Sequence, residues 1–223
     1  MINPLQHKYF VRRASGVVAL VAVLGCGGKK SNQAPTPEPT APLPTAGLAG
    51  QRVALTPLAL VAAEDTLHLD ALVGDRRTTL DKCDSIIGTL LAARAPEVTW
   101  VGPAELRHIA RRAIPIAADP DQMGTPFLRA GNVVQVPDPL RYQLRTLMGL
   151  VGGRYALVPA GLVFRLPTAG LAGPPAGVTA ELSMVMIDSR VGRVGWRTIA
   201  RGEGPDAWTA LTRAMKSLTP GLP

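Results

Sequence analysis

Apolar positions along the chain change their period several times, and each change marks an element. Residues 52–60 (RVALTPLAL) form a compact apolar run, which predicts a buried strand. From 78 to 94, Leu80, Cys83, Ile87, Leu90, Leu91 and Arg94 recur at three and four residues, one face of a helix. Residues 98–101 (VTWV) predict a short strand, and Gly102-Pro103 turn the chain into a second helix over 104–113. Leu106 and Ile109 face inward on that helix, while Arg107, His108, Arg111 and Arg112 make a basic patch on its other side. Periodicity is lost over 119–137, where Pro, Gly and Asp predict a long loop. A further helix is expected behind it. Asp138 would be its N-cap, Pro139 its first residue and Gly152-Gly153 its end, with Leu140, Leu144, Leu147, Met148 and Val151 as the buried stripe.

The last third of the chain changes to the two-residue period of strands. Residues 154–166 (RYALVPAGLVFRL) are apolar on both faces, as in a central strand covered from two sides, and Pro159 and Gly161 inside it predict a bulge. Residues 178–188 place Ala180, Leu182, Met184 and Met186 on one side. Residues 189–192 form a hairpin turn with Gly192 in the left-handed position. Strict alternation over 193–201 would then put Val194, Trp196 and Ala200 toward the core and Arg193, Arg197 and Arg201 together on the opposite face. A final helix from Pro205 carries Trp208, Leu211, Met215 and Leu218 at helical spacing. The order β-α-β-α-α-β-β-β-α predicts an α/β domain over 51–223, with a mixed sheet flanked by helices.

The first fifty residues have none of this patterning. Lys8, Arg12 and Arg13 precede a short apolar run, 14–24 (ASGVVALVAVL), which is shorter than the ~20 residues needed to span a bilayer. Together they have the layout of a secretory signal over 1–25. The run closes on Val23-Leu24-Gly25-Cys26, which resembles the lipobox of bacterial lipoproteins. That resemblance implies diacylglyceryl transfer to the Cys26 thiol, cleavage before Cys26 and acylation of the new amino terminus. A thiol is required because the thiolate is the nucleophile. Gly27 stands where a retention Asp would be, which by the pattern of familiar lipoproteins directs the product to the outer membrane, facing the periplasm. Residues 26–50 then read as a flexible tether. Pro35, Pro37, Pro39, Pro42 and Pro44 favour extended polyproline II, at about 3 Å per residue.

Composition narrows the functional classes. Aromatics are only 4% of the chain, so the core must come from Leu, Val, Ile, Ala and Met. The net charge of +8 suggests an anionic partner, but the first acidic residue is Glu38, so part of the excess belongs to the export signal. Nucleic acid is not the expected partner, because an exported chain rarely meets it and no aromatic platform accompanies the arginines. The two cysteines, Cys26 and Cys83, allow no Cys-x-x-Cys site. Cys83, on an apolar stripe, is expected to be a buried thiol. A nucleophilic Cys83 working with His68 or His108 is the enzymatic alternative. His68-x-Asp70 and Glu105 with His108 fall short of a metal site. No nucleophile elbow, phosphate loop or zincin motif is found. No catalytic residue, metal or cofactor is therefore assigned.

Five segments carry a wider resemblance: RVALTPL (52–58), VTWVGPAELRHIARR (98–112), RYALVPAGLVF (154–164), MVMIDSRVGRVGW (184–196) and the final helix. They resemble the periplasmic domain shared by the curli-secretion lipoprotein CsgG, the amino-terminal domain of TolB and the penicillin-binding-protein activator LpoB. Asp188 to Trp196 is the most specific piece; Thr56-Pro57-Leu58 and the loop 119–137 depart from the family pattern. The expected function is that of a membrane-anchored envelope lipoprotein, non-catalytic, which binds an envelope protein or assembles with itself. Arg193, Arg197, Arg201, Arg107 and Arg111 are the candidate partner-binding residues. A secretion or pore subunit, or an envelope hydrolase, are the alternatives.

Overall fold

The computed structural model describes residues 39–69, 75–167 and 177–220. The expected signal 1–25, Cys26, the first part of the expected tether and Asp70 lie outside the described residues. Among the described residues are six strands and four α-helices. In chain order they are β1 (Arg52–Leu55), β2 (Val61–Ala63), α1 (Arg76–Arg94), β3 (Thr99–Val101), α2 (Pro103–Arg112), α3 (Leu140–Val151), β4 (Tyr155–Arg165), β5 (Val178–Asp188), β6 (Arg193–Gly204) and α4 (Ala207–Ser217). They form one mixed sheet in the order β3-β1-β4-β5-β6, with β2 also paired to β4. The strands β1, β2, β3 and β4 run parallel, while β4-β5-β6 is an antiparallel meander.

The expected single strand over 52–60 is broken in two. Both pieces pair with β4, and the chain leaves the ladder between Thr56 and Leu60. Pro57 has no N–H to give the ladder. Leu58 turns its own N–H to the Asp84 carboxylate of α1 instead, at 2.8 Å. On β4, the register shifts between Pro159 and Gly161, so the bulge expected there is present.

Alternation along the strands divides the interior into two cores. On one face Leu55, Leu157, Phe164, Leu182 and Met184 pack with α1 and α4. On the other, Ala54, Val158, Val185 and Ile187 pack with α2, α3 and the segment 117–136. Each fully buried Leu, Val, Ile, Phe or Met side chain among these contributes roughly 1.5–3 kcal/mol. The sheet meets α4 closely at Gly202, where an added Cβ would lie 2.1 Å from the Ala214 nitrogen. That approach is why β6 has no side chain there. Gly192 closes the hairpin at φ 68°, the left-handed value expected for it.

Three details differ from the sequence reading. The folded unit begins ahead of residue 51: Leu43 and Leu48 are buried in the first core, and the Leu43 N–H donates to the Leu218 carbonyl at 2.8 Å. The proline-rich stretch is thus partly a strap on the domain, because its two leucines have apolar surface to bury. Residues 119–137 form two 3-10 turns, Pro120–Gln122 and Thr125–Arg129, and bury Met123, Leu128 and Val136 against the sheet. Asp138 does not cap α3. Pro139 occupies that position, and the Asp138 carboxylate accepts from Arg141 Nε at 3.1 Å.

Candidate partner-binding surface

The hairpin β5-β6 carries three of the expected arginines, and its register decides where they point. Ile187 pairs with Val194 and Met186 with Trp196, so Gly195 is an extra residue on β6. Alternation is interrupted there. Val194 consequently packs against the second core and Trp196 against the first. The expectation that both point the same way is corrected, and so is the grouping of the arginines. Arg193 lies opposite Asp188, on the Trp196 side, while Arg197 and Arg201 lie opposite Val185 and Glu181 on the other side. Strict alternation fails because the bulge inverts every position that precedes it.

Arg197 and Arg201 also have protein partners. The Arg197 guanidinium donates to the carbonyls of Ala130 and Val133 and thereby holds the segment after Arg129 over the sheet. Arg201 Nε donates to Glu181 at 3.0 Å, and Glu181 is shared with Arg165 at 2.8 Å. Burial pushes the Glu181 carboxyl up, but these two arginines outweigh it and hold the group below its ordinary range. Arg165 reaches on to Glu64 at 3.0 Å, which joins β2's far end to β4 and β5.

Arg107 is not part of a solvated patch. Its side chain is only 13% exposed. Nη2 lies 2.8 Å from Asp84 and 2.8 Å from Asp121, and Nε donates to Asp121 at 2.9 Å. Arg77 adds bonds to Asp81 at 3.0 Å and Asp121 at 3.3 Å. The network ties α1, α2 and the turn Pro120–Gln122 together. Burial raises the Asp84 carboxyl to about 6, against the pull of the Leu58 N–H and Arg107. Arg107 is nevertheless held firmly charged, chiefly by Asp121, so the two partners respond to different neighbours. Arg111 stays exposed and borders a cleft beside Arg77, Arg107 and Asp121. Asp84 escaped the sequence reading. Its signal was a carboxylate three residues before Ile87 and seven before Leu91, on the buried stripe of α1.

Arg197 and Arg201 do share one feature, a groove of about 330 Å³. Its walls are the strap at Pro39 and Ala41 and the turn at Leu128 and Arg129, and its floor is β5 and β6 from Ser183 and Ile199. The strap is fixed there by Ala41 N–H donating to Thr198 Oγ1 at 2.8 Å. Ile199 is 40% exposed on this edge strand. Arg129 is exposed, and its stem passes over Gly161, where an added Cβ would meet it at 2.7 Å. The groove thus combines guanidinium groups with an apolar contact, while the strap covers the backbone edge of β6 at Ile199 and Arg201. Cys83, by contrast, is fully buried in α1 and free, and burial pushes its thiol up to about 12. A thiol so protonated is a poor nucleophile.

Solved structures similar to this fold include the following three. The C-terminal domain of LpoB from Salmonella enterica covers 70% of this chain and 84% of its own, at 13% identity and a TM-score of 0.36. Lipoprotein GNA1162 from Neisseria meningitidis covers 69% and 81%, at 13% identity and 0.33. The PelC dodecamer subunit from Paraburkholderia phytofirmans covers 82% and 94%, at 15% identity and 0.34. No protein-family model matches the chain, and no curated protein matches it.

Proposed function

We propose that this chain is an exported lipoprotein of the cell envelope, anchored by lipid on Cys26. Its α/β domain acts as a non-catalytic module that binds another envelope protein or assembles with copies of itself. The observation that carries the reading is Val23-Leu24-Gly25-Cys26 at the end of a short apolar run behind Lys8, Arg12 and Arg13. Gly27 supports the outer membrane as the destination, with the domain in the periplasm. The proline-rich stretch after Cys26 gives the domain reach, and the strap at Thr40 and Ala41 brings that stretch to the β6 edge. The groove beside Arg129, Arg197 and Ile199 is the surface where a protein partner would dock, because exposed apolar contact and positive charge coincide there.

Two measurements test the two halves separately. Cells expressing wild type and Cys26→Ser are fed an alkyne fatty acid; label is expected on wild type alone, and equal labelling would end the anchoring half. A photo-crosslinking residue is then placed at Ile199 or, as a control, at Leu150, both exposed. Protein adducts are expected from Ile199 and not from Leu150. Equal yields from the two positions would remove the groove from consideration.

A further inference from the structure

A second concavity, at the opposite end of β6 from Gly204, gathers arginines that are far apart in sequence. It has a volume of about 630 Å³ and is lined by Arg52, Arg145, Arg154 and Arg190. Each comes from a different element: Arg52 opens β1, Arg145 lies on α3, Arg154 precedes β4 and Arg190 sits in the β5-β6 turn. Parallel pairing of β1 with β4 and the antiparallel return of β5 bring these four points to one end of the sheet. Among the described residues, none lining the concavity is Asp or Glu.

The charges there are only partly offset. Arg154 Nε donates to Asp188 at 2.8 Å, which answers one of the four. Arg52 Nη1 donates to the Val151 carbonyl at 3.1 Å. That bond covers the last carbonyl of α3, whose partial negative charge would otherwise repel an anion. Arg145 and Arg190 are exposed. Glycines also line the hollow: Gly149 has nothing within 4 Å of an added Cβ, and Gly152 follows the end of α3 at φ 74°. Guanidinium groups crowded around one hollow repel each other and focus positive potential into it. Their planar forks match the oxygens of a phosphate group, which accepts paired hydrogen bonds.

We infer that this hollow is a binding site for a phosphate-bearing anion. The inference does not depend on lipid at Cys26 or on the groove at Ile199, which lies six residues along β6 from Arg193. The phosphate is either free in solution or part of a phospholipid headgroup, and the chemistry at the arginines is the same. Arg145 and Arg190 are the exposed arginines of the hollow. Arg52 and Arg154 form the fixed base.

The test is calorimetric titration of the full chain in a non-ionic detergent. The probes are pyrophosphate, for a free phosphoanion, and glycerophosphoglycerol, for a headgroup without its acyl chains. Saturable one-site binding that weakens with salt is expected for at least one of them. The tighter of the two names the source. Arg145→Gln with Arg190→Gln should weaken binding at least about tenfold, since each removes charge-assisted hydrogen bonds. Arg112→Gln with Lys216→Gln, the same charge change at two exposed positions elsewhere, should leave it unaltered. Gly149→Glu brings a carboxylate into the hollow without a steric cost and should abolish binding, while Gly149→Ala should retain it. The melting temperature of each variant separates misfolding from loss of the site. If neither probe binds wild type, or the Arg112 and Lys216 pair weakens binding as much as the Arg145 and Arg190 pair, the inference is overturned. Binding of poly-glutamate with no binding of either phosphate probe overturns it too, and assigns the hollow to an acidic protein surface.

Discussion

Leu58, in the break between β1 and β2, donates its N–H to the buried carboxylate of Asp84 on α1 at 2.8 Å. The bond satisfies a backbone group that the interrupted ladder cannot, and it fixes α1 against the sheet. Asp84→Ala leaves that N–H buried without a partner, at a cost of about 2 kcal/mol. Chemical denaturation should show the loss. Asp84→Asn keeps an acceptor and should cost less; equal losses from the two substitutions would mean that the bond to Leu58 contributes nothing.

The same carboxyl makes stability depend on pH. Burial raises it from 3.8 to about 6, so between those values the folded chain binds a proton that the unfolded chain has released. Its contribution is therefore fully present below about pH 4 and is lost as pH rises through about 6. A shift of this size is worth on the order of 3 kcal/mol. Asp121 and Glu181, held low by their arginines, act in the opposite sense and lose their contribution as pH falls. Subtracting the Asp84→Asn curve from wild type isolates the Asp84 part. The Asn variant should gain relative to wild type from pH 4 to pH 7, and a flat difference would show an ordinary carboxylate.

The bulge at Gly195 makes the arginines of β6 unequal. Arg197→Ser removes two bonds to backbone carbonyls and should cost about 2 kcal/mol, with faster proteolysis between 119 and 137. Arg193→Ser, at an exposed position, should stay within about 0.5 kcal/mol of wild type. Thermal melts and limited trypsin digestion of the two variants would decide. Equal behaviour would restore the single basic face.

Close contact between β6 and α4 leaves no room at Gly202. Gly202→Ala must separate the helix from the strand, because the atoms that a Cβ would strike are backbone. A loss of about 1–3 kcal/mol is expected, the range for overpacking. A melting temperature unchanged by the substitution would contradict the packing.

Cys83 should resist a bulky maleimide in the folded chain and react at once in denaturant, since it is buried and its thiol is pushed up to about 12. Cys83→Ala should cost about 1 kcal/mol through lost packing. Rapid labelling of the folded protein would show that α1 is rotated from its described position.

Much of the architecture was legible because it depends on local spacing. The stripes of α1, α3 and α4 are visible as three- and four-residue repeats, and the apolar run from Tyr155 to Phe164 signals a strand buried from both sides. Pro159 and Gly161 even located the bulge of β4. The resemblance of Val23-Leu24-Gly25-Cys26 to a lipobox is likewise a matter of adjacent residues, needing no fold to be read.

Tertiary structure decided what the charged residues do. Nothing in the spacing of Arg107 says that Asp84 and Asp121 will surround it, since those partners are 23 and 14 residues away. Arg197 looks like an exposed strand residue until the segment at Ala130 and Val133 folds over it. The faces of β6 depend on one unpaired residue, Gly195, whose place is set by registration against β5. Side-chain direction is a local property only while pairing is regular, and pairing is settled between strands. The convergence of Arg52, Arg145, Arg154 and Arg190 has the same origin. Hydrophobic burial selects the order in which strands assemble, and that order brings distant charges to one end of the sheet.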